Sequence, residues 1–214
     1  MPKKSGQNKF DEIASVWDES PRRIETAKAV FTAIIKSIPV TRNMDVLDFG
    51  CGTGLVSMQI QPYVKSVTAA DNSAGMLNVL REKINKMKIE NVYPSLITDS
   101  IKSLPDEKYD LIISSLTLHH INDYYNLLAE MYHLLNPGGY ICIADLEKEA
   151  GDFHDAATDA VHDGFNQEIL KENLIKIGYK SVSHKRIYTI TKEIKEGKVK
   201  SFPVFLIIAQ NPIN

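Results

Sequence analysis

Glycines and acidic residues follow three short apolar runs in the sequence. The stretch "VLDFGCGTG" carries Asp48 and three glycines, "VTAADNS" carries Asp71, and "LITDS" carries Asp99. Glycines let a backbone turn sharply and bring its amides close to a ligand, and a carboxylate at such a place accepts hydrogen bonds from ribose hydroxyls. Each stretch alone is equally consistent with a tight turn or a helix cap. Together they favour a site for an adenosine-containing ligand.

Two adjacent histidines follow a fourth apolar run, in "LTLHHIND". An unperturbed imidazole has a pKa of about 6.5, so His119 or His120 can take a proton from a bound molecule at neutral pH. The alternative is structural: one ring, His120 more readily than His119, packs under the loop and bonds a backbone carbonyl. We take both histidines as catalytic candidates, with His119 first.

A histidine- and aspartate-rich segment, "GDFHDAATDAVHDGFN", lies further along the chain. Its side chains would bind a metal ion if the segment folded back on itself, because imidazole and carboxylate groups are common metal ligands. No established ligand spacing is present, which favours a solvated surface, and we predict no metal site. The residues concerned are His154, Asp155, Asp159, His162 and Asp163.

Composition narrows the class of protein. A chain of 214 residues can bury one large core, and we expect a single domain. The net charge of −2 offers no general attraction for nucleic acid or anionic membranes, and no apolar run approaches the roughly 20 residues that span a bilayer. Two cysteines, Cys51 and Cys142, are too few for a disulfide framework. We expect a cytoplasmic protein with reduced cysteines and with neither nucleic acid nor membrane as a partner.

The candidate site residues are positioned by strands and helices, which the sequence indicates as short apolar runs alternating with segments of helical periodicity. The early runs are nearly continuous in apolar residues, which indicates strands covered on both faces of a sheet. Strand candidates are Met44–Phe49, Ser66–Ala70, Val92–Ile97, Tyr109–Leu116, Tyr140–Leu146, Val182–Ile190 and Val204–Gln210, and helix candidates are Ile24–Ile38, Leu55–Gln61, Ala74–Lys88, Tyr124–Leu135 and Gln167–Ile177.

This order of elements predicts an α/β fold with a doubly wound, mostly parallel sheet of seven strands and helices on both faces. Pro94 is best tolerated at a sheet edge, so the third strand should be an edge strand. The polar stretch "TKEIKEGKVK" predicts a closing antiparallel hairpin. Ligands of such folds bind beyond the carboxyl ends of the strands, where the glycines lie, and the helix that follows them should offer its amino end.

Taken in order, five stretches resemble the motifs of the class I S-adenosylmethionine-dependent methyltransferases. The resemblance runs from about Met44 to Leu146 and is nearest to the small-molecule branch, whose members often open with a segment like "FDEIASVWDE". The motifs are "VLDFGCGTG", "AADNSAGML", "TDSIKSLP", "YDLIISSLTLHHI" and "LLNPGGYICIADL".

The resemblance implies S-adenosylmethionine as cofactor and a small molecule as methyl acceptor. In it Asp48 and the glycines face the methionine part of the cofactor. Asp71 holds the ribose, and Asn72, Asp99 and Ser100 border the adenine. His119 lines up with the base of a His-Asp-Trp segment in some O-methyltransferases, and Trp17 lies in an amino-terminal segment that often closes over the cofactor. The predicted cofactor-binding residues are Asp48, Gly50, Cys51, Gly52, Gly54, Asp71, Asn72, Met76, Asp99, Ser100 and Ser115.

On this interpretation the chain divides into an amino-terminal cap and helix (1–43), a cofactor-binding core (44–146), an acceptor-side loop (147–166) and a closing helix with hairpin (167–214). A nicotinamide-dependent dehydrogenase is disfavoured because Leu55 stands where its third glycine belongs. Methyltransferases that modify the exocyclic amines of DNA or RNA bases usually carry an Asn/Asp-Pro-Pro-aromatic motif after the fourth strand. This chain has "SSLT" there, which disfavours such amines as acceptors. Two alternatives stay open: a metal-assisted O-methyltransferase, and a non-catalytic module of the same fold.

Overall fold

Seven strands form one sheet in the computed structural model, which describes residues 6–97, 101, 104, 107–154, 160–194 and 197–213. The order across the sheet is β3-β2-β1-β4-β5-β7-β6. Neighbours from β3 to β5 run parallel, whereas β7 runs antiparallel to both β5 and β6. The strands are β1 (Asp45–Phe49), β2 (Ser66–Asp71), β3 (Val92–Leu96), β4 (Tyr109–Ser115), β5 (Leu135–Leu146), β6 (Lys180–Glu193) and β7 (Val199–Gln210).

Helices cover both faces of this sheet. Successive side chains of a strand point to opposite faces, and Val46 and Leu47 of β1 accordingly lie in two separate apolar clusters. The cluster around Val46 includes residues of α2, α3 and α4, and the cluster around Leu47 includes residues of α5 and α6. The helices are α1 (Gly6–Ile13), α2 (Pro21–Ser37), α3 (Ser57–Ile60), α4 (Ala74–Met87), α5 (Tyr124–Leu134) and α6 (Gln167–Ile177), with 3-10 turns at Ala14–Glu19, Gln61–Tyr63 and Leu118–His120.

The predicted fold class is confirmed: the sheet is mostly parallel, is covered on both faces and ends in an antiparallel hairpin. Pro94 lies in β3, at the edge of the sheet, as its missing N–H requires. The order of the hairpin strands was not predicted, since β7 inserts between β5 and β6. None of the helices among the described residues is long and apolar enough to cross a membrane.

Two helical segments differ from the sequence-based prediction. The predicted helix Leu55–Gln61 is shorter: α3 is a single turn, Ser57–Ile60, and Pro62 continues the chain in a 3-10 turn. Gly50, Gly52 and Gly54 all have positive φ, so the chain leaves β1 in turns before it becomes helical. A helix of one turn provides little of the amino-end dipole expected to face the ligand. The helix α1 and the 3-10 turn after it were not predicted.

Candidate functional site

A cavity of about 920 Å³ opens where β1, β2 and β4 end. It is lined by Gly50 after β1, Asp71 at the end of β2 and Ser115 at the end of β4. The carboxyl ends of parallel strands meet at one edge of a sheet, and this is where the sequence predicted the ligand. Phe10 and Trp17 of the amino-terminal segment line the same cavity.

The three glycines after β1 do different things. A Cβ added to Gly50 would lie 2.2 Å from Thr117 Cγ2, and one added to Gly54 would lie 2.4 Å from Leu80 Cδ1. These two glycines therefore allow the loop to pack against the protein itself. A Cβ on Gly52 would meet nothing within 4 Å, although its φ of +55° is unfavourable for a side chain. Gly50 and Gly52 line the cavity and Gly54 does not, so Gly52 is the glycine with open space beside it.

Asp48 is a buried acid on the cavity wall. Its Oδ2 accepts a hydrogen bond from Ser57 Oγ at 2.5 Å, whereas its Oδ1 is buried and has no hydrogen-bond partner among the described residues. Burial, which disfavours the charged form, raises the pKa of Asp48 to about 6. A buried carboxylate oxygen without a partner is a place where a ligand can donate a hydrogen bond.

Asp71 joins the glycine loop to the start of α4. Its Oδ2 accepts from the Gly52 N–H at 2.7 Å and its Oδ1 accepts from the Ser73 N–H at 2.8 Å. Ser73, and not Asp71, caps the helix, because the Met76 N–H donates to Ser73 Oγ at 3.1 Å. Burial raises the pKa of Asp71. The carboxylate thus holds Gly52 in place and lines the cavity as well.

The other predicted cofactor residues fall into two groups. Cys51, Asn72, Met76 and Ser115 line the cavity. Asp99 and Ser100 lie outside the described residues, as do Asp155 and Asp159 of the histidine- and aspartate-rich segment.

Two aspartates attach the amino-terminal segment to the cofactor-side loops. Asp11 Oδ1 accepts from Ser73 Oγ at 2.5 Å and from the Gly75 N–H at 2.8 Å, at the start of α4. Asp18 Oδ1 accepts from Thr53 Oγ1 at 2.6 Å, and its other oxygen pairs with Lys83. These contacts place Phe10 and Trp17 against the cavity. The position predicted for Trp17 agrees with this arrangement.

The Arg23 guanidinium packs against one face of the Trp17 ring. The guanidinium carbon of Arg23 lies 3.6 Å from the ring centroid, and its Nη1 donates to the Trp17 carbonyl at 3.1 Å. A cation against an indole face is favourable, so the ring has a fixed position. Phe10 makes edge contacts with Trp17 and with His120, at centroid distances of 5.9 and 5.5 Å. The amino-terminal segment therefore reaches both the cofactor side of the cavity and the histidines.

His119 forms a buried pair with Asp145, the next-to-last residue of β5. Its Nδ1 lies 2.6 Å from Asp145 Oδ1, and its backbone N–H donates to Asp145 Oδ2 at 3.2 Å. The two side chains are 1% and 0% exposed. A carboxylate at Nδ1 fixes the ring with its proton on that nitrogen and leaves a lone pair on Nε2. His119 Nε2 is buried and has no hydrogen-bond partner within the described part of the chain.

His154 joins the two predicted histidines in one group. The ring centroids of His119 and His120 are 4.2 Å apart, and His154 lies 4.8 Å from the first and 5.3 Å from the second. All three rings line the cavity. His162, from the same predicted segment, instead lies with Nε2 3.0 Å from the Ile121 carbonyl oxygen. A histidine thus lies within hydrogen-bond distance of a backbone carbonyl near the loop, and it is His162, from the segment expected to be solvated.

Sequence reasoning missed Asp145 and did not place His154 beside His119. A signal existed for Asp145, because it ends an apolar run as Asp48 and Asp71 do, and β5 neighbours β4 in the sheet. Leu116, between β4 and the histidines, has a φ of +53°, which is strained for a branched residue and redirects the chain toward the cavity. No sequence pattern reveals such a backbone conformation.

Comparison with known proteins identifies the core. Residues 47–143 match a family described as "Methyltransferase domain". This part of the chain is therefore similar to methyltransferase domains. The match agrees with the family predicted from the sequence, and S-adenosylmethionine stays its predicted cofactor.

Relatives and solved structures support this assignment. An uncharacterized methyltransferase of Schizosaccharomyces pombe is 36% identical over 118 residues, which cover 52% of this chain and 42% of that protein. A demethylmenaquinone methyltransferase of Listeria welshimeri is 34% identical over 116 residues, which cover 52% and 48% of the two chains. The chain spans about half the length of the curated relatives it matches. The crystal structure of a SAM-dependent methyltransferase from Aquifex aeolicus shares the fold, with a TM-score of 0.65 and 23% identity over 96% of this chain and 98% of that chain.

Proposed function

We propose that this methyltransferase domain moves a methyl group from S-adenosylmethionine to a small-molecule acceptor. The observation that carries the proposal is that one cavity is lined at once by the glycine loop, by Asp71 and by His119. A cofactor at the strand ends and an acceptor at the histidines would therefore share one enclosed space. The Listeria relative is named for a small acceptor, demethylmenaquinone, which supports this class of substrate.

The residues of the cavity fit the cofactor. The unpartnered Oδ1 of Asp48 suits the ammonium group of the methionine part, and the open space at Gly52 lets the backbone come close to it. Asp71 is braced at the end of β2, where the family binds the ribose, and Asn72 and Met76 line the cavity beside it. We assign the binding of the cofactor to these residues together with Gly50, Cys51 and Ser115.

When bound, the cofactor supplies a methyl group already activated by its sulfonium charge. The chain has to bring acceptor and methyl carbon into line and keep water out, and alignment alone can remove roughly 7–11 kcal/mol of a barrier. Phe10 and Trp17 close the cavity from the amino-terminal side. The buried Asp145 is a positioning residue, since it keeps the lone pair of His119 Nε2 free for the acceptor.

Of the two catalytic candidates on the acceptor side, we assign the proton-accepting role to His119 and a substrate-positioning role to His120. In the metal-free protein, His119 Nε2 is the group placed to accept a proton from an acceptor hydroxyl, and such a base is worth about 10²–10⁴-fold in rate. His120 lies against both His119 and Phe10, which places it between the base and the amino-terminal segment. Its expected contribution is to the shape of the acceptor pocket.

The cofactor assignment is tested by calorimetry with S-adenosylhomocysteine on wild type and Asp71→Ala. The variant loses a carboxylate that holds Gly52 and that would bond the ribose, and charge-assisted hydrogen bonds are worth about 1.5–3 kcal/mol each. We expect affinity to fall by tenfold or more. Asp152→Ala, which removes an exposed partner of Lys200, is the matched control and should bind as wild type does. Equal affinity in a folded Asp71→Ala protein would refute the assignment.

Methyl transfer is tested by incubating the protein with methyl-labelled S-adenosylmethionine and fractionated small metabolites. Label in a low-molecular-weight product that disappears with His119→Ala supports the proposal. Tight binding of S-adenosylhomocysteine without labelled product in any fraction would instead favour the non-catalytic module.

A further inference from the structure

We propose that His119, His120 and His154 form a binding site for one divalent transition-metal ion of the zinc class, at the acceptor end of the cavity. One ligand atom from each ring can be chosen so that all three lie within 4.8 Å of one another. Imidazole nitrogen suits zinc, iron, nickel and copper, and three histidines with an open fourth position are a known zinc arrangement. Zinc was not predicted from the sequence, where His154 was grouped with Asp155 and Asp159.

The ligand atoms of the three rings are slightly further apart than nitrogen atoms bound to one zinc ion. Nitrogen atoms at about 2.0–2.1 Å from a tetrahedral zinc ion are about 3.3 Å from one another. The ligand atoms of the three rings now lie within 4.8 Å of one another. They would reach the separation found around zinc if each ring moved by about 1 Å or less. The rings come from the turn after β4 and from the segment after β5, so the sheet fixes two sides of the site.

Two nitrogen atoms of the cluster that lack hydrogen-bond partners in the described part of the chain also favour a bound metal ion. His119 Nε2 and His154 Nε2 are both buried and have no hydrogen-bond partner among the described residues. Buried polar atoms are normally satisfied, so two such atoms in one cluster call for a bound partner. A metal ion would accept a lone pair from each of these two nitrogens.

Asp145 supplies the outer-shell contact that metal-binding histidines usually have. A ligating histidine typically donates its second ring N–H to a carboxylate, which fixes the tautomer and strengthens the ligand. His119 Nδ1 lies 2.6 Å from Asp145 Oδ1, and the pair is fully buried. This carboxylate also supplies negative charge close to the cation. Asp145 is thus a positioning residue for the metal as well as for the histidine.

A basic side chain lies next to His154 in the cavity. Lys192 lines the cavity and donates to the Phe153 carbonyl, next to His154. Its positive charge favours an anion at the fourth position of the metal.

The site deepens the proposed function by indicating the acceptor class, a step that rests on that function. A metal ion with three neutral ligands would bind an acceptor through an oxygen or sulfur atom and lower the pKa of that group. An acceptor hydroxyl or thiol would replace a water molecule on the metal and bind as its anion, and the proton lost from the acceptor would pass to the solvent. In the loaded protein the ion takes over the role of the base, and His119 serves as a ligand.

The test is metal binding by the whole chain, measured apart from methyl transfer. Protein freed of metal with a chelator is titrated with zinc against a chromophoric competitor, and the bound ion is counted by mass spectrometry. We expect one zinc per chain, a loss of at least 100-fold in affinity for His154→Ala and for His119→Ala, and a 10- to 100-fold loss for Asp145→Asn. His184→Ala, whose ring contacts Glu168 on the surface, should bind as wild type does.

Cobalt spectroscopy on the wild type keeps the proposal testable even where a variant fails to fold. Cobalt(II) in a tetrahedral site gives intense visible bands, and adding 2-mercaptoethanol should produce a thiolate-to-cobalt charge-transfer band. The proposal is overturned if the wild type binds no zinc, or if folded His119→Ala and His154→Ala bind it as His184→Ala does. Calorimetry with S-adenosylhomocysteine separates this failure from a failure of the proposed function, because the predicted cofactor residues do not include the metal ligands.

Discussion

At the scale of single residues, Asp48 stands out because the protein leaves one of its oxygens unpartnered in a buried place. Burial raises the pKa of Asp48 to about 6, so the acid is protonated more readily in the folded chain than in the unfolded one. The folded state then binds more protons between about pH 4 and pH 6, and its contribution to stability falls as the pH rises through this range. We infer that the residue is kept for binding and costs stability in the free protein.

This assignment predicts pH-dependent cofactor binding. An ammonium group beside Asp48 favours the carboxylate, so S-adenosylhomocysteine should bind more tightly as the pH rises through about 6, by at most about tenfold per pH unit below that value. Calorimetry between pH 5 and pH 7.5, in buffers with different heats of ionisation, measures both the affinity and the protons released. Asp48→Asn should remove the pH dependence. A wild type whose affinity is flat across this range would contradict the role given to Asp48.

The glycine loop predicts two separable effects. Gly52→Val puts a branched side chain into open space on the cavity wall, so cofactor affinity should fall sharply, with a loss of stability of about 1–2 kcal/mol from the left-handed backbone. Gly54→Val would push against Leu80 and should mainly reduce stability. Chemical denaturation and calorimetry on both variants distinguish the two. If Gly52→Val bound S-adenosylhomocysteine as wild type does, Gly52 would be needed only for the turn of the chain and not for the ligand.

At the scale of elements, the amino-terminal segment lies over the cavity that opens at the strand ends. Helix α1 spans only eight residues, which is too short to be stable alone, and the hydrogen bonds of Asp11 and Asp18 hold the segment in place. This explains why the pattern of the sequence did not predict a helix at 6–13. The likeness of "FDEIASVWDE" to the family's opening segment nevertheless predicted a covering role, and Phe10 and Trp17 of this stretch line the cavity.

Loosening this segment should speed the release of the cofactor. Asp18 does not line the cavity, yet it bonds Thr53 in the glycine loop and pairs with Lys83. A partly exposed pair of this kind is worth about 1 kcal/mol, so Asp18→Ala should raise the dissociation rate of S-adenosylhomocysteine several-fold. Stopped-flow displacement measures the rate, with Asp152→Ala as the control. An unchanged rate would mean that the segment does not limit release.

At the scale of the whole molecule, the side of the cavity at the strand ends could be predicted from the sequence, and the side at the histidines only in part. Asp48, Gly52 and Asp71 lie in or directly after the carboxyl end of a strand within a local motif, so their positions come from neighbouring residues. The group of His119, Asp145 and His154 depends on β5 lying beside β4 and on the path of the chain after β5. Contacts between residues so far apart in sequence leave no periodic pattern. The same reason explains why a closing hairpin was predicted but the place of β7 between β5 and β6 was not.

The cavity draws its lining from the amino-terminal Phe10 to Lys192 of β6, which predicts that the chain unfolds as one unit. Calorimetry should show a single transition whose calorimetric and van't Hoff enthalpies agree, as expected for one domain. S-adenosylhomocysteine at 100 times its dissociation constant should stabilise the folded chain by about 2.7 kcal/mol and raise the melting temperature by about 5–11 °C. Because the ligand contacts several elements, the whole transition should move together. Two transitions, or one that moves while another stays, would show that the cap or the closing hairpin folds separately from the methyltransferase core.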